Sequence, residues 1–317
     1  MNLSAARMKT QGLVKPLGGV TDVVHRLVGL QAQDEWVAAY AIRPRTKPNV
    51  NAATVSQTPG LICTWAMRGT LHLVTADDAA WLVNLLGPRF IAKQRGRRHQ
   101  LGLTDEMLDS ALPLIRELVP ASRAEIAKAV RKAGIDLPEG QAEAHLISVA
   151  AMSGLIHRTT EGYEPLTHKG SEPDDPPREL ARRYLEGYAP AEPEDFAVWS
   201  GLPLTEARRA FAHLEQPPIR AQKASGIRLL GHWDPFLLGY RDRSFTLDPA
   251  HAKHIQRGGG FLQPIVLVDG QVEGTWSREW KGDQLIVNVE SFGAEITGLE
   301  QEIADLKRFF ERDRPPR

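Results

Sequence analysis

The order of apolar and polar residues repeats one plan three times along the chain. In each repeat, amphipathic helical segments come first and short strand-forming runs follow. The clearest repeat is residues 104–167, where apolar residues at three- and four-residue spacing predict three helices and Glu161-Gly162 predicts a hairpin turn. Three helices followed by a hairpin are typical of a winged helix, and the repetition predicts a tandem array.

The first repeat precedes this segment and has the same order. Short helical patterns cover residues 3–57, with proline-containing breaks between them. Residues 61–74 are rich in strand formers and predict a hairpin that turns at Arg68-Gly69. We therefore expect a first winged helix at the beginning of the chain.

The third repeat follows a polar, acidic and proline-rich stretch, residues 171–177, which is typical of a linker. Residues 178–214 then contain three helical patterns, and residues 219–230 are the expected wing. The three repeats are similar in pattern and do not align residue by residue.

The pattern changes after Leu230, where strand-forming runs alternate with turns at Asp269-Gly270 and at residues 281–283. The predicted strands are residues 264–268, 272–276 and 285–289. An apolar stripe along residues 294–312 predicts a closing amphipathic helix.

Together these patterns predict an α+β protein. It has three tandem winged-helix motifs, followed by a small antiparallel β-barrel or sheet and a C-terminal helix. The predicted domains are residues 1–102, 103–170, 171–230 and 231–317.

The charge balance limits how the protein can bind nucleic acid. The 317 residues include 39 basic and 39 acidic side chains, so any nucleic-acid partner must be bound by a local basic patch. The strongest basic bias lies between Arg89 and His99 and includes Arg95, Arg97 and Arg98, with no acidic residue. This stretch is either a solvated helix face or a surface for backbone phosphates.

Several kinds of chemistry have no support in the sequence. Cys63 is the only cysteine, and the ten histidines show no metal-ligand spacing, so we expect no metal site and no cofactor. The chain contains no Gly-x-Ser-x-Gly nucleophile motif. The first residues have no apolar signal-peptide core, and no run is long enough to span a membrane. We expect a cytoplasmic protein with no membrane partner.

Two glutamines lie at a predicted break between two helices, in the segment Leu30–Asp34. Side chains two residues apart share a side in an extended segment but not in a helix, so Gln31 and Gln33 are expected to point the same way, with Ala32 behind them. Asp34 is expected to be the N-cap of the second helix. The ordinary alternative is a pair of surface glutamines at a helix junction.

Three motifs in this order resemble the AlkZ-like winged-helix DNA glycosylases, a family named after an azinomycin-resistance enzyme. They are Gly29–Gln33, Met67–Val74 and Asp234–Arg243. With the order of elements, the resemblance spans nearly the whole chain. The family's fold of three tandem winged helices and a C-terminal β-barrel agrees with the pattern above.

The resemblance implies a monofunctional N-glycosylase that needs no metal or cofactor. It implies that Gln31 and Gln33 are the catalytic Gln-apolar-Gln motif, and that the substrate is double-stranded DNA carrying purines alkylated at N3 or N7. Some members of the family also unhook interstrand crosslinks. We expect a monomer that associates with the nucleoid when it binds DNA.

Further DNA contacts are predicted at Arg68, Tyr240, Arg241 and Arg243, and at Arg95, Arg97 and Arg98 of the basic stretch. Each has a structural alternative: a turn residue, a packed aromatic ring or a paired arginine. The main functional alternative is a non-catalytic winged-helix DNA-binding regulator. A scaffold that binds proteins through its winged helices is a third, and it predicts no DNA affinity.

Overall fold

The computed structural model describes residues 3–167, 170–216, 223–258, 260–282 and 284–310. The chain divides into two compact units. The first unit consists of Met1–Pro59 and Arg178–Arg317, and the second consists of Gly60–Pro177. The second unit is thus inserted between two parts of the first. The four domains predicted from the sequence are a finer division than these two units and stay a prediction.

The N-terminal part of the first unit contains short elements joined by tight connections. They are α1 (Leu3–Thr10), α2 (Val20–Arg26), the two-residue strand β1 (Leu30–Gln31), α3 (Glu35–Ile42) and α4 (Ala52–Ser56). A single 3₁₀ turn, Arg43–Arg45, follows α3 directly.

The second unit contains two hairpins and five helices. The elements are β2 (Leu61–Trp65), β3 (Leu71–Thr75), α5 (Ala76–Lys93), α6 (Arg95–Gln100), α7 (Asp105–Leu118), α8 (Arg123–Lys132), α9 (Gln141–Met152), β4 (Ile156–Arg158) and β5 (Tyr163–Pro165). The predicted turn at Arg68-Gly69 is confirmed, and both residues have positive φ, 58° and 70°.

The segment from α7 to β5 confirms the predicted order of three helices and a hairpin. The Thr104 hydroxyl accepts a hydrogen bond from the Met107 amide at the start of α7, and Ser122 and Glu125 form a capping box at the start of α8. Apolar residues of the three helices form one core with Ile156 of β4.

The two hairpins of this unit belong to one antiparallel sheet, in the order β3-β2-β4-β5. Cys63 of β2 is paired with Arg158 of β4. Helices α5 and α9 approach closely at Gly87, where an added Cβ would lie 2.0 Å from the carbonyl oxygen of Met152. Only glycine allows this approach.

The C-terminal part of the first unit begins with helices and ends with a sheet. Its elements are α10 (Pro176–Tyr188), α11 (Pro193–Ser200), α12 (Leu204–Phe211), β6 (Ile227–Leu230), α13 (Pro235–Leu238), α14 (Ala252–Ile255), β7 (Ile265–Val268), β8 (Gln271–Lys281), β9 (Gln284–Ser291) and α15 (Glu300–Phe310). The sheet is antiparallel, in the order β6-β7-β8-β9.

The structure corrects two expectations in this region. Within the described strands β6 and β9 are the edges of an open sheet, so the sheet alternative is confirmed and the closed barrel is wrong. The expected wing at residues 219–230 is also wrong in its described part, because β6 pairs with β7 of the C-terminal sheet. Residues 219–222 lie outside the described residues.

The closing helix is shorter than its apolar stripe predicted. It begins at Glu300 because Gly298 has φ +79°, a conformation that no α-helix contains. Residues 311–312 and Asp283 of the predicted hairpin turn lie outside the described residues. None of the described helices combines the length and the hydropathy that crossing a membrane requires.

Candidate active site

The turn before Gln31 is fixed by the end of α2. The apolar spacing at Val23, Val24, Leu27 and Leu30 predicts a helix as far as Leu30, but α2 ends at Arg26. Val28 and Gly29 have φ values of 54° and 106°, and their amides donate to the carbonyl oxygens of His25 and Val24 at 3.2 and 2.9 Å. This is the Schellman pattern with a valine at the position that usually holds glycine. A β-branched residue there is strained, so the surrounding contacts must hold the turn.

The predicted break between helices is present at Gln31 and Gln33. Gln31 belongs to β1 and is 8% exposed, whereas Gln33 is exposed and lies in the bend before α3. Ala32 between them is buried. One amide of the pair therefore lies in the protein interior and the other lies in contact with solvent.

Asp34 is the N-cap of α3, as its position in the sequence predicted. Its backbone is extended, and its carboxylate accepts a hydrogen bond from the Trp36 amide at 2.8 Å. The carboxylate thus has a structural function at the positive end of the helix.

Helix α3 is anchored through aromatic rings to the C-terminal sheet and to α15. The Arg278 guanidinium lies 5.2 Å from the ring centroid of Tyr40 and 5.8 Å from that of Trp36. Phe310 of α15 packs against both rings, with centroids 4.7 and 5.2 Å away. These contacts, with their cation–π component, hold the helix that follows Gln33. No local pattern could indicate Arg278 as a partner of α3, because it lies about 240 residues further along the chain.

The motif Asp234–Arg243 contains a fully buried ion pair. The Arg45 guanidinium donates to both carboxylate oxygens of Asp234, at 2.7 and 2.9 Å, and to the side-chain oxygen of Gln11 at 3.0 Å. Asp234 also accepts from the Phe236 amide and so caps α13. The aspartate of this motif therefore has a structural role.

Tyr240 is completely buried, so it has no surface with which to contact DNA in this structure. Its hydroxyl donates to the carbonyl oxygen of Tyr188 at 2.8 Å, and the Arg7 guanidinium lies 3.7 Å from its ring centroid. Tyr240 therefore matches the structural alternative given above, a packed aromatic ring. The ring is held inside the first unit, and a direct contact with DNA stays a prediction.

The two arginines that follow differ in exposure. Arg241 is exposed, and its backbone amide donates to Asp195 at 2.9 Å. Arg243 is partly buried, donates to the Leu237 carbonyl at 2.8 Å, and has its pKa lowered by burial. Arg241 is therefore the more accessible cation of the motif.

The three arginines predicted from the basic stretch of the second unit lie in three different environments. Arg95 is largely exposed and forms an ion pair with Asp105 at 2.5 Å. Arg97 is exposed and donates to Gln141 at 2.7 Å. Arg98 is 2% exposed and donates to the Ile91 carbonyl at 2.6 Å, so it stabilises the junction of α5 and α6. Arg68 is partly buried at its hairpin turn.

Within the described part of the chain, no group of three or more histidine, cysteine, aspartate or glutamate side chains could hold a metal ion. The expectation that the protein uses no metal and no cofactor stays a prediction.

Comparison with known proteins gives consistent matches. Residues 24–309 match the family described as DNA glycosylase AlkZ-like. A relative from Streptomyces sahachiroi, described as an interstrand DNA cross-link repair glycosylase, is 27% identical over 337 residues, which cover 91% of this chain and 90% of the relative. The solved structure of Streptomyces sahachiroi DNA glycosylase AlkZ matches with a TM-score of 0.78 and 24% identity, over 97% of this chain and 95% of that one. The structural likeness shows a shared fold.

Proposed function

The chain belongs to the AlkZ-like DNA glycosylase family, and on this premise we propose that it hydrolyses the N-glycosidic bond of alkylated purines in double-stranded DNA. The observation that carries the proposal is the pair Gln31 and Gln33 in an ordered break between α2 and α3, one amide buried and the other exposed. The proposed enzyme is a monofunctional glycosylase that acts as a monomer without metal or cofactor.

A neutral amide pair is sufficient for this substrate. A purine alkylated at N3 or N7 is cationic, so the electron pair of the breaking bond neutralises the leaving base. The sugar then develops oxocarbenium character, and water adds to C1′ and loses a proton. An amide carbonyl oxygen placed near that charge stabilises it, and fixed polar groups of this kind contribute about 3–4 kcal/mol each. A neutral amide also avoids the cost of burying a carboxylate.

The two glutamines differ in burial, and we assign a different role to each. Gln31 lies in the interior, where the low dielectric strengthens its dipole's interaction with the sugar cation. Gln33 is open to solvent and can position the attacking water. An undamaged purine is a poor leaving group, so the same site would leave normal DNA intact.

The proposal extends to architecture and to DNA contacts. We retain the winged-helix assignment for the first two repeats, of which the order α7, α8, α9, β4, β5 is the best-supported example; the third keeps its helices α10, α11 and α12, and its expected wing belongs to the C-terminal sheet. Arg95, Arg97 and Arg241, which are exposed, and Arg68 and Arg243, which are partly buried, are the proposed phosphate contacts that retain exposed surface. The Streptomyces sahachiroi relative is named for cross-link repair. Unhooking a cross-linked purine breaks the same type of bond, so we include crosslinks among the candidate substrates.

Base release from DNA that contains 7-methylguanine tests the function. The wild type is expected to release the base, and the double variant Gln31→Ala/Gln33→Ala is expected to release none while still binding DNA. Urea unfolding of both proteins controls for the fold. If the wild type bound DNA and released neither 7-methylguanine nor a nitrogen-mustard adduct, the non-catalytic regulator would be the better description.

A further inference from the structure

A strained and partly exposed tryptophan lies next to the buried Asp234. Trp233 has φ 51°, which is rare for a bulky residue and is a strained conformation. Its indole nitrogen donates to the carbonyl oxygen of Gly260 at 2.9 Å, so the ring is held in one orientation. Whereas Phe236 and Tyr240 in the same segment are completely buried, Trp233 keeps part of its surface in solvent.

Two further rings join Trp233 in a small aromatic platform, which we define as His232, Trp233 and Phe261. The centroid of Phe261 lies 4.8 Å from that of Trp233 and 4.9 Å from that of His232. All three side chains are partly exposed. Trp233 packs with one side against the core of the first unit, and the three rings keep their remaining surface in solvent.

The loop that carries Phe261 is closed by its own backbone. Gln256 and Leu262 form an antiparallel bridge, and the Phe261 amide donates to Gly258 at 2.9 Å. Lys253 and Arg257, on and just after α14, are exposed. The platform is therefore ordered and has a basic edge, which is the combination that nucleic-acid surfaces use for bases and phosphates.

The platform is connected directly to the helix that follows the catalytic glutamines. Gly231, one residue before His232, packs so closely on Tyr40 of α3 that an added Cβ would lie 2.4 Å from the Tyr40 Cβ. Tyr40 lies six residues, or about 9 Å, along the helix from the Asp34 cap. The rings thus belong to the same part of the first unit as Gln33.

His232 adds a hydrogen-bond acceptor to the platform. Its Nδ1 lies 3.2 Å from the Leu262 carbonyl oxygen, which can only accept, so Nδ1 carries the proton. Burial lowers the pKa of His232 below its ordinary value, and Arg278 lowers it further, whereas the Leu262 carbonyl and the Asp34 carboxylate act in the opposite direction. The imidazole is therefore neutral near pH 7, with an unprotonated Nε2.

We propose that the aromatic platform binds the alkylated purine once it has left the DNA stack, with the base stacked on Trp233, the Phe261 ring standing at 77° to Trp233 as a side wall, and His232 Nε2 accepting from the exocyclic amino group of the base. This inference rests on the proposed glycosylase function. A cationic base is attracted to the negative face of an aromatic ring, by about 0.5–2 kcal/mol, in addition to ordinary stacking. The platform would therefore favour alkylated over normal purines in binding as well as in chemistry.

Single-turnover release of 7-methylguanine from duplex DNA tests the platform. Trp233→Leu is expected to lower kcat/KM by about 2- to 30-fold, the range of one lost cation–π contact. Trp233→Phe keeps an aromatic face and should retain most of the activity. If the indole had only a structural role, through its hydrogen bond to Gly260, Trp233→Phe would be as defective as Trp233→Leu. Phe292→Leu is the matched control, since this partly buried ring stacks on His251 and lies outside the platform.

Two further measurements separate the possible outcomes. Quenching of Trp233 emission, taken as the wild-type signal minus that of Trp233→Phe, should occur with 7-methylguanosine and be much weaker with guanosine. The Trp233→Leu defect should also persist when the nucleotide opposite the lesion lacks its base. A defect that vanished there would mean that the platform holds the opposite base, which overturns the proposal.

The failure of this inference is distinguishable from failure of the function. If the wild type released no base, the proposed function would be wrong, whatever Trp233 does. If the wild type released the base and Trp233→Leu and Phe261→Leu matched its rate, with no selective quenching, the glycosylase would stand and the platform would be overturned.

Discussion

The Arg45 guanidinium and the Asp234 carboxylate form a bidentate ion pair that is closed off from solvent. The two nitrogen–oxygen distances are 2.7 and 2.9 Å, and the side chains are 0% and 1% exposed. The pair joins the turn after α3 to the segment that carries His232 and Trp233. It therefore connects the helix next to Gln31 and Gln33, the proposed catalytic residues, with the proposed aromatic platform.

Removal of one partner of this pair should destabilise the protein strongly. Asp234→Ala leaves the Arg45 charge buried and unpaired, and we expect a loss of about 3–5 kcal/mol in the free energy of unfolding. The double variant Arg45→Met/Asp234→Leu should recover much of that loss, because no charge remains to be desolvated. Urea unfolding measures both. As a control, Arg182→Ala removes an exposed pair with Glu179 and should cost about 1 kcal/mol or less.

The proposed roles of Gln31 and Gln33 should be separable by kinetics. Each single alanine variant is expected to lower the rate of 7-methylguanine release by about 10²–10³-fold, as for the loss of one preorganised polar group. We expect Gln31→Ala to have the larger effect because its amide is buried. Single-turnover assays at saturating enzyme measure the chemical step. Equal rates for Gln31→Ala and wild type, with the fold intact, would remove Gln31 from the mechanism.

Asp34 offers a test between a helix cap and a general base. Asp34→Asn keeps a side-chain oxygen for the Trp36 amide, so both stability and base release should be close to wild type. Asp34→Ala removes the cap and should cost about 1 kcal/mol of stability. Base release and urea unfolding are measured for both variants. Loss of base release in the asparagine variant at unchanged stability would identify Asp34 as the base.

The exposed arginines should control the salt dependence of DNA binding. Arg97→Ala and Arg241→Ala are each expected to weaken binding to any duplex sequence and to reduce the slope of log K against log salt by about one. Fluorescence anisotropy over a range of salt concentrations measures this slope. Arg98→Ala is a contrasting variant: its side chain is buried, so it should lower stability instead. An unchanged slope in Arg97→Ala would mean that this residue makes no phosphate contact.

Acid should destabilise the fold partly through His72. Burial is the main cause that lowers the pKa of His72 to about 3, with a further contribution from Arg68. The unfolded chain protonates this residue near its ordinary pKa of about 6.5. Between these two values the unfolded state binds more protons. The contribution of His72 to the free energy of unfolding is therefore fully present above about pH 6.5. It is lost toward pH 3, by about 1.4 kcal/mol per pH unit for one proton.

The variant His72→Gln isolates this contribution. Free energies of unfolding in urea at about pH 7, 6 and 5 should show that the advantage of the wild type over the variant narrows as the pH falls. A constant difference across that range would mean that His72 takes up its proton in the folded protein as easily as in the unfolded chain.

Much of the local structure could be predicted from residues close to one another in the sequence. In α7 and α8 the capping side chain lies three residues before the backbone amide that donates to it. The Arg68-Gly69 turn was indicated by the strand formers on either side of it. The break that holds Gln31 and Gln33 was predicted in the same way. Their catalytic assignment came from resemblance, and it stays a proposal.

The errors have a common cause, which is the choice of a partner far along the chain. The run that ends at Leu230 has strand character by itself, but its pairing with residues 265–268 decided that it belongs to the C-terminal sheet. Exposure has the same dependence: Arg98 and Tyr240 resemble surface contact residues in sequence, packing buries both, and their contacts with DNA stay predictions. Exposure depends on the whole fold, so local composition could not predict it.

The sequence by itself therefore determined the helices, the hairpins and the position of the two glutamines, because hydrogen bonds and side-chain periodicity act over a few residues. Only the tertiary structure decided that Arg45 meets Asp234, that Arg278 lies over Tyr40, and that Trp233 stays partly exposed. Those relationships join residues up to about 240 positions apart, and their energies come from burial and desolvation that exist only once the chain has folded.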